Sequence, residues 1–193
     1  MKFIRSHIDY VSLIEQLKGY RNPRDKIKHL LKNQSLVRVK KGLYIAGDSQ
    51  RQEPVCLEAL ANLIYGPSYI SYEYALSYYG LIPERTPVLT CATTQKSKGF
   101  DTPLGCFRYQ HLSFSRYSVG VLHNNQFLIA SAEKALSDLV ARQKLFSSKL
   151  TLHTYLVDDL RLESETLQNL DSSLLKEIAS QYRNPNVRLL ESL

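Results

Sequence analysis

Positively charged side chains recur through residues 21–41 at spacings that suit a polyanionic partner. Lys28, His29 and Lys32 share one face of a helical projection, and Arg24 lies at the margin of that face. In a groove of duplex DNA, such a face would bring ammonium, imidazole and guanidinium donors to base edges and phosphate oxygens. The plain alternative is a solvated, lysine-rich helix face. Charge alone does not separate these two interpretations.

Nine residues are candidates for DNA contacts, and two kinds of contact are expected of them. Lys28, His29 and Lys32 are the candidates for base edges. Phosphate contacts would position the protein without reading sequence. The candidates for phosphate contacts are Arg21, Arg24, Lys26, Arg38, Lys40 and Lys41.

The excess positive charge is confined to one end of the chain. Residues 1–51 hold twelve of the 25 Lys and Arg but four of the 18 acids, a net charge of +8. The remaining residues hold thirteen bases and fourteen acids, a net charge of −1. This distribution is expected where one module meets a polyanion and the other does not.

Two helices and a hairpin must position these cations. Apolar residues at helical spacing predict a helix from about residue 9 to 18 and a second after Asn22, where Pro23 suits the first helical position. Two β-rich runs then flank a turn with Gly42, which predicts a hairpin tipped by lysines. The order favours a winged helix-turn-helix in residues 1–50. The polar segment of residues 46–52, which overlaps the end of that domain, is the expected linker.

Residues 53–193 predict a second domain in which helices alternate with short strands. Helices are expected over residues 57–64, 72–79, 132–139 and 175–182, with a short one at the end. Strands are expected over residues 87–93, 105–111, 117–122 and 126–129. The chain is thus expected to be α+β, a small winged helix-turn-helix followed by a mixed domain with a small sheet.

Motifs for catalysis, cofactors or metals do not emerge from the sequence. No Gly-rich phosphate loop, H-E-x-x-H or G-x-S-x-G is present, and the three cysteines are too widely spaced for a metal site. Asp158 and Asp159 could bind a metal in a nuclease, although consecutive acids are usually a solvated turn. The basic run of residues 96–99 is either a contact to DNA or an acidic partner, or an exposed mobile loop. We expect no enzyme, no cofactor and no metal.

The free cysteines and the lack of a long apolar run favour a soluble, cytoplasmic protein without a membrane span.

Four segments, in this order, resemble the AbiEi family, the antitoxins of type IV abortive-infection toxin–antitoxin pairs. Residues 22–45 (NPRDKIKHLLKNQSLVRVKKGLYI) are similar to its winged-helix start. Residues 66–82 (GPSYISYEYALSYYGLI), 129–138 (IASAEKALSD) and 182–190 (YRNPNVRLL) are similar to its second domain. The resemblance spans nearly the whole chain.

The resemblance implies a DNA-binding domain that represses its own operon at inverted repeats, and a second domain that counteracts a nucleotidyltransferase-like toxin. It does not imply a stable complex with that toxin. Three helices are commonly drawn before the wing in this family and two are evident here, so we expect residues 57–64 to pack beneath the basic helix. The residues leave two alternatives open: a stand-alone regulator whose second domain binds a ligand or protein, and a DNA-targeted nuclease.

Overall fold

The computed structural model of the chain describes residues 7–51 and 53–193. Residues 1–6 begin the predicted DNA-binding domain, and residue 52 ends the predicted linker. Both lie outside the described residues, so those parts of the two predictions are not addressed.

The N-terminal unit contains the two helices and the hairpin that the sequence predicts. Its elements are β1 His7–Asp9, α1 Tyr10–Gln16, α2 Pro23–Lys32, β2 Leu36–Lys40 and β3 Leu43–Ala46. The strands form an antiparallel sheet in the order β1-β3-β2. Strand β1 was not predicted, because three residues are too few to display a period of two.

A small core holds the helices of this unit to its sheet. Leu13 and Leu17 of the α1 segment pack with Ile27 and Leu30 of α2 and with Tyr44 of β3. The apolar residues of α2 recur at three-residue spacing, so they form one stripe that faces this core. The opposite side of α2 is thereby left to solvent.

The second domain is built around a larger sheet with helices packed on it. Its helices are α3 Leu57–Ile64, α4 Tyr72–Tyr78, α5 Ala132–Val140, α6 Lys149–Thr154, α7 Ser164–Gln168, α8 Ser172–Tyr182 and α9 Pro185–Glu191. Its strands are β4 Ser68–Ile70, β5 Val88–Thr93, β6 Lys98–Thr102, β7 Gly105–His111, β8 Val121–Asn124 and β9 Phe127–Ala130. The α+β class is confirmed.

The larger sheet has the order β6-β7-β5-β4-β9-β8 and mixed strand directions. Strand β4 pairs antiparallel with β5 and parallel with β9, while β5 pairs parallel with β7. The sheet is wider than the small one predicted, because β4 and β6 were not recognised. Strand β4 is short, and β6 begins at Lys98, inside the run predicted as a basic loop.

The smaller sheet joins the two units, because its two faces belong to different cores. Side chains alternate across a strand, so Tyr44 faces the N-terminal core while Leu43 and Ile45 face α3 of the second domain. Leu60 and Ile64 of α3 lie in that second core. The expectation that residues 57–64 pack beneath the basic helix is therefore wrong. That helix is held by α1 and one face of the sheet, and α3 packs on the other face.

Candidate nucleic-acid interface

Helix α2 presents the basic face that the sequence predicts. Arg24, Lys28 and Lys32 lie four residues apart along it, and all three are exposed, as is His29. An α-helix places residues i and i+4 on one side, so the three cations form a row. Pro23 occupies the first turn, where its missing N–H costs no hydrogen bond.

The start of α2 differs in detail from the predicted cap. The side chain of Asn22 makes no hydrogen bond to the helix backbone, and its amide donates to the Asp25 carboxylate instead. Asp25 also accepts from Lys28, with 3.0 Å between Nζ and Oδ1. Both partners of this ion pair are largely exposed, so the pair is weak and Lys28 keeps donors for another acceptor.

Two more cations lie around the start of α2, Arg21 before the helix and Lys26 within its first turns. Arg21 is exposed, whereas Lys26 is half-buried with its ammonium 4.8 Å from the ring centroid of Tyr20. This cation–π contact restrains the Lys26 side chain without neutralising it. Both cations thus lie beside the N-terminal turn of α2, where the helix also exposes unpaired N–H groups.

The wing is the hairpin of β2 and β3, and its turn is tied to the helical part of the unit. Gly42 has φ +88°, a backbone conformation that side chains other than glycine rarely adopt. The carbonyl of Gly42 accepts from the Tyr10 N–H at 3.0 Å, and Asp9 caps the same helix by accepting from Val11 and Ser12. The wing turn and the start of α1 are therefore coupled.

The two neighbouring lysines of the wing turn point to different places. Lys41 is exposed, and Arg38 on β2 is exposed as well. The register of β2 and β3 shifts between Arg38 and Lys40, so that Lys40 pairs with Leu43. A bulge of this kind re-aims a side chain. Lys40 is thereby turned toward the second domain, where its ammonium donates to the Ile64 carbonyl at the end of α3.

This geometry corrects one of the predicted contacts. Lys40 was expected to meet phosphate, yet its ammonium caps a helix C-terminus, a site that favours a cation. Burial, and secondarily the charge of Lys98, lower the pKa of Lys40. The remaining eight candidate side chains lie on α2, on the turn before it and on the wing. Seven of the eight are exposed, with Lys26 half-buried.

The second domain holds a polar cluster that the sequence did not reveal. Asp138 accepts from Tyr69 at 2.9 Å and from Ser71 at 2.6 Å, and it also accepts from Tyr182. Its other charged partner is Lys134, with 3.2 Å between Nζ and Oδ1 and both side chains fully buried. On a helical projection Lys134 and Asp138 fall opposite the apolar stripe of α5, so periodicity gave no signal that they are buried.

Three of the four segments that resemble the AbiEi family meet at this cluster. Tyr69 and Ser71 come from residues 66–82, Lys134 and Asp138 from residues 129–138, and Tyr182 begins the last segment. All five residues are buried. No reactant reaches the cluster from solvent in this state, so its role here is to join the segments of the second domain.

The last segment also closes the end of α5. The Asn186 amide group donates to the carbonyls of Val140, Gln143 and Lys144 at 2.9, 3.3 and 3.2 Å. Its carbonyl oxygen accepts from the Phe146 N–H at 3.0 Å. One buried side chain thus satisfies the last carbonyl of α5 and three backbone groups of the segment that follows the helix.

The candidate nuclease residues are not gathered into a site. Asp158 and Asp159 are exposed in a π-helical turn, Tyr155–Asp159. Within residues 7–51 and 53–193, no group of three or more His, Cys, Asp or Glu side chains is placed to hold a metal ion.

In the same part of the chain, no helix has the length and apolar character to cross a bilayer.

Comparisons with known proteins bear on the fold. No protein-family model matches the chain, and no curated protein matches it. Its fold is similar to that in a crystal structure of the Rv2827c protein from Mycobacterium tuberculosis, with a TM-score of 0.56 and 13% sequence identity. The similarity covers 97% of this chain and 76% of that one. At this identity, the likeness concerns the arrangement of elements alone.

Proposed function

We propose that the chain is a transcriptional autorepressor that binds operator DNA through α2 and the wing, and that it also acts as the antitoxin of a type IV pair. One observation carries the DNA-binding part. Exposed, positively charged side chains lie on α2 and on the wing, which belong to one packed unit. Asp25 is the acidic residue of α2. Like charges held together in this way favour a polyanionic partner.

The dimensions and chemistry of the basic helix suit the major groove. An α-helix with side chains is about 10–12 Å wide, and the groove is about 12 Å wide. The base edges would then face Lys28, His29 and Lys32. The phosphate backbone of the DNA near the start of α2 would contact Arg21, Arg24 and Lys26. Arg38 and Lys41 of the wing would grip neighbouring phosphates.

The antitoxin part of the proposal derives from the AbiEi resemblance. What supports it is that the three segments of the second domain that resemble this family meet at one buried cluster, so that residues far apart in sequence form one structural unit.

Inverted repeats in the operator would require two copies of the winged helix on one duplex. Rescue from a nucleotidyltransferase-like toxin would then be an activity separate from repression.

The DNA-binding part is tested by fluorescence anisotropy with a duplex from the protein's own promoter. We expect the double variant Lys28→Ala with Lys32→Ala to lose at least about tenfold in affinity, since each specific contact contributes about 1–3 kcal/mol. Lys144→Ala with Lys176→Ala is the matched control, because it removes the same charge from exposed positions in the C-terminal part of the chain. Wild-type protein without salt-sensitive affinity for this duplex would overturn the proposal.

The antitoxin part is tested by co-expressing the full chain with the adjacent gene. We expect growth to be rescued by the wild type and equally by the Lys28→Ala, Lys32→Ala variant, because the second domain is intact in both. Failure of both proteins to relieve toxicity of a nucleotidyltransferase-like product would leave a stand-alone DNA-binding regulator.

A further inference from the structure

A cleft in the second domain combines arginines with apolar side chains. It lies between the loop that follows α5 and the start of α9, and its volume is about 360 Å³. Small-molecule sites in proteins have volumes of about 300–1,000 Å³ and combine an apolar lining with a few placed polar groups. The apolar lining of this α5–α9 cleft comes from Leu145, Phe146 and Leu189, and its charged lining comes from Arg183 and Arg188.

Both guanidinium groups at the cleft are exposed and lack a carboxylate partner within the described residues. None of the ion pairs in residues 7–51 and 53–193 includes Arg183 or Arg188. Over the same ranges, no acidic side chain lines the cleft. A guanidinium presents five N–H donors in one plane, which match the oxygens of a carboxylate or a phosphate. Two such groups at one cleft favour a ligand with an anionic head group.

Arg183 occupies a backbone position that glycine would fill more easily. It ends α8 with φ +48° and ψ +34°, in the left-handed conformation. Helices commonly end in glycine at such a position, because a side chain there is strained. The residue before it, Tyr182, is fixed in the buried cluster, and the residue after it, Asn184, caps α9. An arginine at this turn therefore costs stability, which is expected where the side chain itself is used.

The apolar wall of the cleft is held in one place. Backbone groups on both sides of Leu145 are bonded to Asn186, the Lys144 carbonyl at 3.2 Å and the Phe146 N–H at 3.0 Å. The ring of Phe146 packs on that of Tyr155, with 5.2 Å between the centroids. Leu145 is nevertheless 70% exposed. A ligand could bury this leucine without first ordering the loop, which removes one cost of binding.

We propose that the α5–α9 cleft binds a small amphipathic anion, a carboxylate or phosphate monoester with an alkyl or aromatic body. Its head group meets Arg183 and Arg188, and its body packs on Leu145, Phe146 and Leu189. A phosphodiester backbone offers no hydrocarbon body for these three side chains, so the lining favours a small molecule over DNA. The cleft uses none of the residues assigned to DNA contacts, so its ligand and the proposed function are tested independently.

The test is isothermal titration calorimetry of the full chain with octanoate and with octyl phosphate, both below the concentrations at which they form micelles. We expect one site per chain and a rise in Tm on binding, because the site exists only in the folded state. The tighter of the two probes identifies the head group. Acetate lacks the apolar body and octylamine has the opposite charge, so neither is expected to bind. If neither octanoate nor octyl phosphate binds, or if octylamine binds as tightly, the inference is overturned.

Variants assign the binding to the cleft. Arg183→Gly with Arg188→Gln is expected to lower affinity at least about tenfold, because hydrogen bonds to a charged group are lost. Leu145→Ser is expected to lower affinity while leaving the Tm of the free chain unchanged, because that side chain is exposed. The control Lys96→Gln with Lys176→Gln removes the same charge from exposed positions outside the cleft and is expected to keep the wild-type affinity.

The free chain supplies a separate check on Arg183. Arg183→Gly alone is expected to raise the Tm of the ligand-free protein, because glycine relieves the left-handed backbone, and to weaken binding at the same time. A fall in Tm would assign the arginine a structural role and overturn the inference. Unchanged affinity in the double arginine variant would overturn it as well, while the proposed function would stand.

Discussion

Replacing Asp138 with asparagine tests whether the buried cluster is held by charge. The substitution keeps the shape of the side chain but removes the charge that faces Lys134, with both side chains fully buried. It also replaces one of the two acceptor oxygens with an amide that cannot accept from Tyr69 or Ser71. Removing one partner of a buried ion pair typically costs about 3–5 kcal/mol, because the other charge stays buried without compensation.

We therefore expect Asp138→Asn to lower the free energy of unfolding by about 3–5 kcal/mol. For a chain of this length, this corresponds to a fall of roughly 6–20 °C in Tm. Urea denaturation followed by circular dichroism measures the first quantity, and a thermal scan measures the second. Asp159→Asn is the control, because that side chain is exposed and its replacement should change stability by less than about 0.5 kcal/mol.

Two further measurements separate charge from packing. Adding Lys134→Met to Asp138→Asn removes the uncompensated cation, so the double variant is expected to be more stable than the single one. Burial lowers the pKa of Lys134, with Asp138 opposing that shift. In Asp138→Asn the charge that raises the pKa of Lys134 is lost, so this pKa lies further below its ordinary value of 10.5. Between the folded-state pKa and 10.5 the unfolded state then binds more protons than the folded state, and stability should rise as pH rises toward 10.5. A loss below about 1 kcal/mol, or a double variant no more stable than the single one, would refute this account.

The remaining predictions concern the wing and the buried tyrosines. Lys40→Ala should lower the free energy of unfolding by about 1–2 kcal/mol in urea denaturation, because it removes a charged donor from the Ile64 carbonyl. Lys41→Ala should instead leave stability unchanged and weaken DNA binding. The opposite pattern would contradict the described register of β2 and β3. Burial raises the pKa of three buried tyrosines, so unfolded chains release these protons above pH 10 while folded chains retain them. Stability should therefore fall by up to about 1.4 kcal/mol per pH unit for each tyrosine. Absorbance at 295 nm should rise in one cooperative step with unfolding. These tyrosines are Tyr69, Tyr72 and Tyr182. The lowered pKa of Lys134 opposes this trend, but Lys134 is one group against three tyrosines. Gradual ionisation of the tyrosines without loss of the helical signal would count against the burial of their hydroxyl groups.

Local patterns were enough to predict the elements of the N-terminal unit. The apolar stripe of α2, the Pro23 start and the Gly42 turn depend on interactions within a few residues, so they can be read from the sequence. The same holds for the exposure of Lys28 and Lys32, because they lie opposite the stripe. The concentration of positive charge in residues 1–51 was likewise visible without any structure.

Tertiary contacts decided what each of these charges faces. Lys40 and Lys41 are identical in type and adjacent in sequence, yet a register shift turns one to the end of α3 and leaves the other in solvent. The buried pair of Lys134 and Asp138 needs hydroxyl groups from segments more than 40 residues away. Periodicity describes which side of an element is apolar, but the partner of a polar side chain is fixed only when distant segments pack together, because burial then makes every unpaired group costly.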